Sequence, residues 1–254
     1  MWEILSSWEI EYASIDLLII NFILWIINLG LMGMIIMYIF YMLWSQKGRM
    51  ELKSEKFYKI NLVSWGLFFV LLFTANVLLV VTFFSTIKGE MTTELVDLLG
   101  KIMMVLVYVA FLAKIIYLEQ VIRIMGHFFS IILTFIIFFI IFAETQIMKQ
   151  GILSIIFLIL TTTGYCILPL LYFYFAIKST GKNRMDSFKI CIGTVLLGLG
   201  LLFRPDNLLY YWGISEFLNS VILLTYITGP ISIIISVVFI FAGFGGKGIS
   251  KREK

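Results

Sequence analysis

Hydrophobic residues in this chain neither alternate with polar ones nor gather at helical spacing between them. They run on uninterrupted for most of its length. Seven runs are readable: 15–44, 60–84, 95–122, 128–143, 152–177, 188–203 and 217–244. About 20 apolar residues, rising ~1.5 Å each, cross a bilayer, so the runs predict membrane helices. Barrel strands would alternate apolar and polar positions, and these runs do not. The first and third are longer than a bilayer requires and should tilt or project. The sixth is the weakest, with an apolar core of 16 residues. It spans comfortably only if Arg204 snorkels and the helix continues past the run.

Composition strengthens this reading. Hydrophobic residues make up 61% of the 254, charged residues only 13%, and mean hydropathy is +1.06. A soluble domain is about half apolar and about a quarter charged, so water is the wrong solvent for this chain. Three prolines in all favour long unbroken helices. The first run exceeds the roughly 7–15 residues of a signal-peptide core and is preceded by acids rather than bases, so it is expected to remain as an anchor. Cys166 and Cys191 fall inside apolar runs and are expected to be buried as small hydrophobes. With two cysteines and one histidine, neither a disulfide framework nor a metal site is expected.

Charge then orients the bundle. Of 19 basic residues, 14 fall in the segments 46–59, 119–127, 178–189 and 245–254 and Lys114 lies closest to the second of them, making 15 and leaving Lys88, Lys101, Lys149 and Arg204 on the opposite face. The positive-inside rule makes the basic face cytoplasmic. The expected fold is all-α: a seven-helix transmembrane domain over 15–244, a short external segment 1–14, and a basic cytoplasmic tail 245–254. A cell (plasma) membrane is the expected location. The loops are short, so function is expected in the bundle, at its faces or through a protein partner. The net charge of +4 lies on the inner face, where it suits anionic lipid headgroups. Nothing suggests nucleic acid as a partner.

Two groups of residues are candidates for chemistry. At the outer mouth, Glu144, Arg204, Asp206, Tyr210, Tyr211, Trp212 and Glu216 lie at helix ends or in the last outer loop, where Pro205 marks a helix boundary. They read either as an ion pair beside an interfacial aromatic belt or as a cup for a small molecule. At the inner end of the third helix, Lys114 can snorkel to headgroups, and Glu119 and Arg123 are spaced i,i+4. That pair reads as solvated or as a lock against a neighbouring helix; these three residues are the candidates for cytoplasmic coupling. His127 is expected to cap a helix or face the interface.

Asn21, Asn28, Asn76, Thr161–Thr163 and Tyr226 are polar residues deeper in the runs, and interhelical hydrogen bonds account for them. Pro169 and Gly229-Pro230 should loosen their helices and are candidate hinges. Gly30, Gly33, Gly193, Gly198 and Gly200 allow close helix approach.

Several chemistries lack their residues. The last run has no lysine for a retinal Schiff base, one histidine cannot support haem or metalloprotease chemistry, and no serine beside His127 suggests a rhomboid-type protease. Intramembrane aspartyl proteolysis would need two buried aspartates, and an antiporter a mid-membrane carboxylate; no acid is placed so. No enzyme activity and no cofactor are expected.

The stretch KSTGKNRMDSFKICIGTVLLGLGLL, Lys178 to Leu202, puts a basic glycine-containing turn before a glycine-rich helix. With the seven-span, N-out order it resembles the seven-helix N-terminal sensor region of some prokaryotic histidine kinases. The chain departs from that family in having no kinase domain before Lys254. The resemblance implies a receptor-like or sensor module that signals through a cytoplasmic partner and transfers no ligand contact. Two other classes stay open: a structural or accessory subunit of a larger membrane complex, and a transporter of ions, small molecules or lipids.

Overall fold

The computed structural model describes residues 15–45, 53–87, 92–122, 126–142, 152–202 and 222–245, all as helices apart from short turns. In chain order these are α1 (Ile15–Ser45), α2 (Lys53–Ile87), α3 (Thr93–Ile122), α4 (Phe128–Phe142), α5 (Ile152–Lys178), α6 (Gly181–Leu202) and α7 (Ile222–Gly245). No strand occurs among the described residues. Six of these helices are long and apolar enough to cross a membrane. The exception is α4, with 15 residues.

The short helix is therefore not the expected one. α6 has 22 residues because it begins at Gly181, seven residues before the apolar run at Phe188. Lys182, Asn183 and Arg184 are all accommodated in its first turns. Gly181 makes this start possible: its φ of 58° turns the chain after the two residues that follow α5, a conformation open to glycine. α2 likewise starts upstream of its apolar run, at Lys53, since Lys and Glu are good helix formers.

The chain forms two compact units. One contains α1 from Leu29, with α2, α3 and α4; the other contains α1 up to Asn28, with α5, α6 and α7. In the first, α2 packs on α3 and α3 on α4. Its core is aromatic, with Trp65, Phe68 and Phe69 of α2 against Tyr108 and Phe111 of α3, all buried. The Phe68 and Phe111 rings meet edge-on, 5.6 Å apart, the favoured arrangement for aromatic pairs. In the second unit α6 packs between α5 and α7. Large apolar side chains are exposed along every helix, among them Met37, Phe135, Leu170 and Val238. Such a surface suits lipid, not water.

α6 and α7 meet along regular stripes. The α6 positions Asp186, Ile190, Gly193, Leu197 and Gly200 are spaced four, three, four and three, as are Gly229, Ile233, Ser236, Ile240 and Gly243 of α7, and all ten are buried. This is the 3.5-residue period of antiparallel, nearly aligned helices. A methyl group added at Gly193 would lie 2.9 Å from the Ser236 carbonyl oxygen, and one at Gly200 would lie 3.0 Å from that of Gly229. The backbones touch, and glycine alone permits it. Gly198 has ordinary contact distances, whereas Gly30 and Gly33 have nothing near them. The expectation of close approach thus holds for Gly193 and Gly200 and fails for the pair in α1.

Candidate functional site

The third helix carries a buried stripe at Met103, Val107, Ala110, Lys114 and Leu118. Lys114 therefore occupies a core position. It does not snorkel: its exposure is 0%. The ammonium donates to Asn61 Oδ1 at 2.6 Å and Ser64 Oγ at 3.1 Å, both on α2. It also lies 4.1 Å from the centroid of the Trp65 ring and 4.6 Å from that of Tyr117. Removing a cation from water costs several kcal/mol. Two oxygen acceptors and two π faces offset part of that, since cation–π contacts strengthen on desolvation.

One and a half turns later, Glu119 faces the other neighbour of α3. It is 5% exposed, so the solvated i,i+4 pairing with Arg123 does not describe it; Arg123 itself lies outside the described residues. Glu119 Oε1 accepts the backbone N–H of Phe129 at 2.6 Å and that of Ser130 at 3.2 Å, while Oε2 accepts the Ser130 hydroxyl. These N–H groups belong to the first turn of α4, which has no intrahelical acceptor for them. His127 holds the capping position, its carbonyl accepting from Ile131 N at 3.0 Å, but it has no side-chain oxygen. Glu119 does from α3 what a capping Ser or Asp does locally. The positive end of the α4 dipole favours the carboxylate there. His127 Nδ1 stands 3.8 Å from Glu119 Oε2, with its side chain 64% exposed. Gly126, at φ 59°, turns the chain just before it.

α3 is thus tied to α2 by a cation and to α4 by an anion. The lock between helices, one of the two sequence readings, is what Glu119 forms, although with a helix terminus rather than a side-chain partner.

The remaining candidates divide sharply. Glu144, Arg204, Asp206, Tyr210, Tyr211, Trp212 and Glu216 all lie outside the described residues, as does the side chain of Tyr226. Pro169 and Pro230 are both inside continuous helices and buried. The Pro169 carbonyl accepts the Cys191 thiol at 3.5 Å, tying α5 to α6. Cys191 is buried as expected, but Cys166 is exposed, on the outward stripe of α5 with Ile159, Leu170 and Phe173. Its apolar run marks contact with lipid and not with the core.

Interhelical bonding accounts for the deeper polar residues unevenly. Asn76 Nδ2 donates to Met32 Sδ at 3.4 Å, from α2 to α1. Thr163 bonds back to the Ile159 carbonyl of its own helix. Asn28 is fully buried, and neither of its amide atoms has a hydrogen-bond partner. Two buried groups escaped the sequence reading. Ser236 Oγ and Asp186 Oδ2 are both buried without a partner. Asp186 sits among Lys182, Arg184 and Lys189, so its segment reads as a solvated turn; only the α6 stripe shows that it faces inward. Among the described residues no three His, Cys, Asp or Glu gather as metal ligands.

Comparison with known proteins adds no relative: no family model, no curated protein and no solved structure matches the chain.

Proposed function

We propose that the protein is a seven-span membrane protein, N-terminus outside and C-terminus in the cytoplasm, acting as a receptor-like sensor. The end of α3 is the element that couples the bundle to a cytoplasmic partner. The observation that carries this reading is the burial of Lys114 and Glu119, opposite charges on successive turns of one helix, each holding a different neighbour. Apolar side chains of similar volume would hold the same helices together at least as stably. A buried charge on neutral acceptors is better suited to an element with two arrangements, since a modest change in its surroundings shifts its energy by several kcal/mol. Ionisable residues inside a membrane mark functional elements for the same reason. The basic asymmetry of the loops supports the orientation. The Lys178–Leu202 resemblance to sensor regions agrees with it.

Spin labels at Ile60→Cys on α2 and Phe128→Cys on α4, both exposed positions, test the coupling in a background without Cys166 and Cys191. In lipid nanodiscs the sensor reading gives two distance populations whose ratio changes in Lys114→Met. A single population, unchanged by that substitution, makes the charges architectural. The accessory-subunit reading would then stand in its place.

A further inference from the structure

Among the described residues, the contact of His127 with Glu119 joins an exposed ionisable group to a buried one. The imidazole side chain is 64% exposed and the carboxylate side chain 2%. At 3.8 Å, Nδ1 is too far from Oε2 for a hydrogen bond. Glu119 Oε1 accepts two backbone N–H groups, whereas Oε2 accepts only the Ser130 hydroxyl. A carboxylate oxygen has two acceptor sites, so Oε2, the oxygen that the ring approaches, has one left.

Histidine is the side chain whose charge changes between about pH 5 and 8. The neutral ring carries a donor on only one nitrogen, while the protonated ring donates from both. Protonation therefore guarantees a donor at Nδ1 and adds a charge to it. Closing the gap by about 1 Å then makes a charge-assisted bond, about twice as strong as a neutral one. The exposed ring keeps its hydration when charged, and burial leaves the field of its partner little screened. One effect opposes this: a cation beside the first turn of α4 is disfavoured by the helix dipole. Solvent weakens that repulsion at an exposed ring, so the bond wins. No other charge intervenes on either helix: α4 has no ionisable residue, and Lys114 of α3 is turned to Asn61 and Ser64 of α2.

We infer that the turn between α3 and α4 is a proton-operated clasp. Uptake of a proton by His127 adds a charged donor to the Glu119 cap and tightens the start of α4 against α3. Because the charged bond needs the protonated ring, its contribution is present at acid pH and lost as pH rises through the histidine range. In the proposed orientation the proton comes from the cytoplasm. A clasp of this kind responds to acid in a membrane protein of any class, so its test is separate from that of the sensor reading.

Hydrogen exchange of the intact protein in phosphatidylcholine nanodiscs reads the clasp at Phe129 and Ser130, whose N–H groups Glu119 accepts. Rates are taken relative to an unfolded peptide at the same pH, which removes the intrinsic pH dependence of exchange. In the wild type, protection at both groups should rise about fivefold from about pH 8 to about pH 6. The rise should follow the protonation of His127, read by nuclear magnetic resonance in the same sample. One histidine in the chain makes that ring signal unambiguous. In His127→Gln, protection should stay at the level of the wild type at about pH 8. Wild-type protection that is level across this range, or falls towards acid, overturns the clasp whatever the folding of the variant. So does a rise that persists in His127→Gln, or one that departs from the protonation curve of the ring.

Discussion

Where α6 meets α7, Gly193, Gly200 and Gly243 bring two backbones into contact. Where α2 meets α3, some of the largest side chains in the protein fill the space, and a lysine is buried among them. Both are antiparallel membrane-type interfaces, yet they tolerate change differently. The glycine interface is a steric fit between rigid main chains, and adding one carbon breaks it. The aromatic interface consists of side chains that can shift, and its specific element is electrostatic. In lipid, where apolar burial alone does not hold helices together, close packing and polar contacts are the two available forces. This protein uses one in each unit.

The largest effect should come from the glycine side. Gly243→Ala puts a methyl group within 2.7 Å of the Asp186 carbonyl, a backbone atom that cannot rotate away. Overpacking of this kind costs about 1–3 kcal/mol or more. Unfolding of the purified protein in mixed detergent should show a loss at the upper end of that range. If the variant unfolds like the wild type, the interface is looser than described.

Next comes the electrostatic side. Glu119→Ala leaves the N–H groups of Phe129 and Ser130 without their acceptor, and a bond to a charged group contributes about 1.5–3 kcal/mol. Glu119→Gln should recover part of the loss, because its carbonyl still accepts one of them. Hydrogen exchange at Phe129 and Ser130 reads this directly. Exchange should quicken in Glu119→Ala more than in Glu119→Gln, and no change in either would remove the cap.

A small effect in the opposite direction sharpens the contrast. Gly30→Ala adds a methyl group that meets nothing within 4 Å, so the substitution should stabilise α1 by up to about 1 kcal/mol through helix propensity alone. Destabilisation in the same detergent assay would mean that Gly30 contacts something, and that the glycine distinction between α1 and α6 is false.

The helices were legible in the sequence because continuous apolar runs have few other readings. Their ends were less so. Apolarity marks what lipid can cover, whereas α2 and α6 continue as helix into Lys53–Lys59 and Gly181–Ser187, where good helix formers are polar. Which face turns inward was not legible at all. A run apolar on every side gives no sign that Lys114 lies on the buried stripe of α3, that Cys166 faces out, or that Asp186 in a basic turn faces in. Glu119 shows the same limit: its partner is a set of backbone N–H groups, and no residue type announces those. Gly193 and Gly200 were readable as close contacts, but the identical residue in α1 makes none.

The seven-span orientation turns on α4, whose 15 residues extend about 22 Å against a hydrocarbon core of about 30 Å. The Glu119 cap is what such a helix needs at the membrane, since a first turn with unsatisfied N–H groups is unstable in lipid. Labelling with an impermeant maleimide at Met125→Cys and Gln150→Cys, in a background lacking Cys166 and Cys191, tests whether α4 crosses. Gln150→Cys should label in intact cells, and Met125→Cys only after permeabilisation. If both label from the same side, α4 does not cross and the protein has six spans.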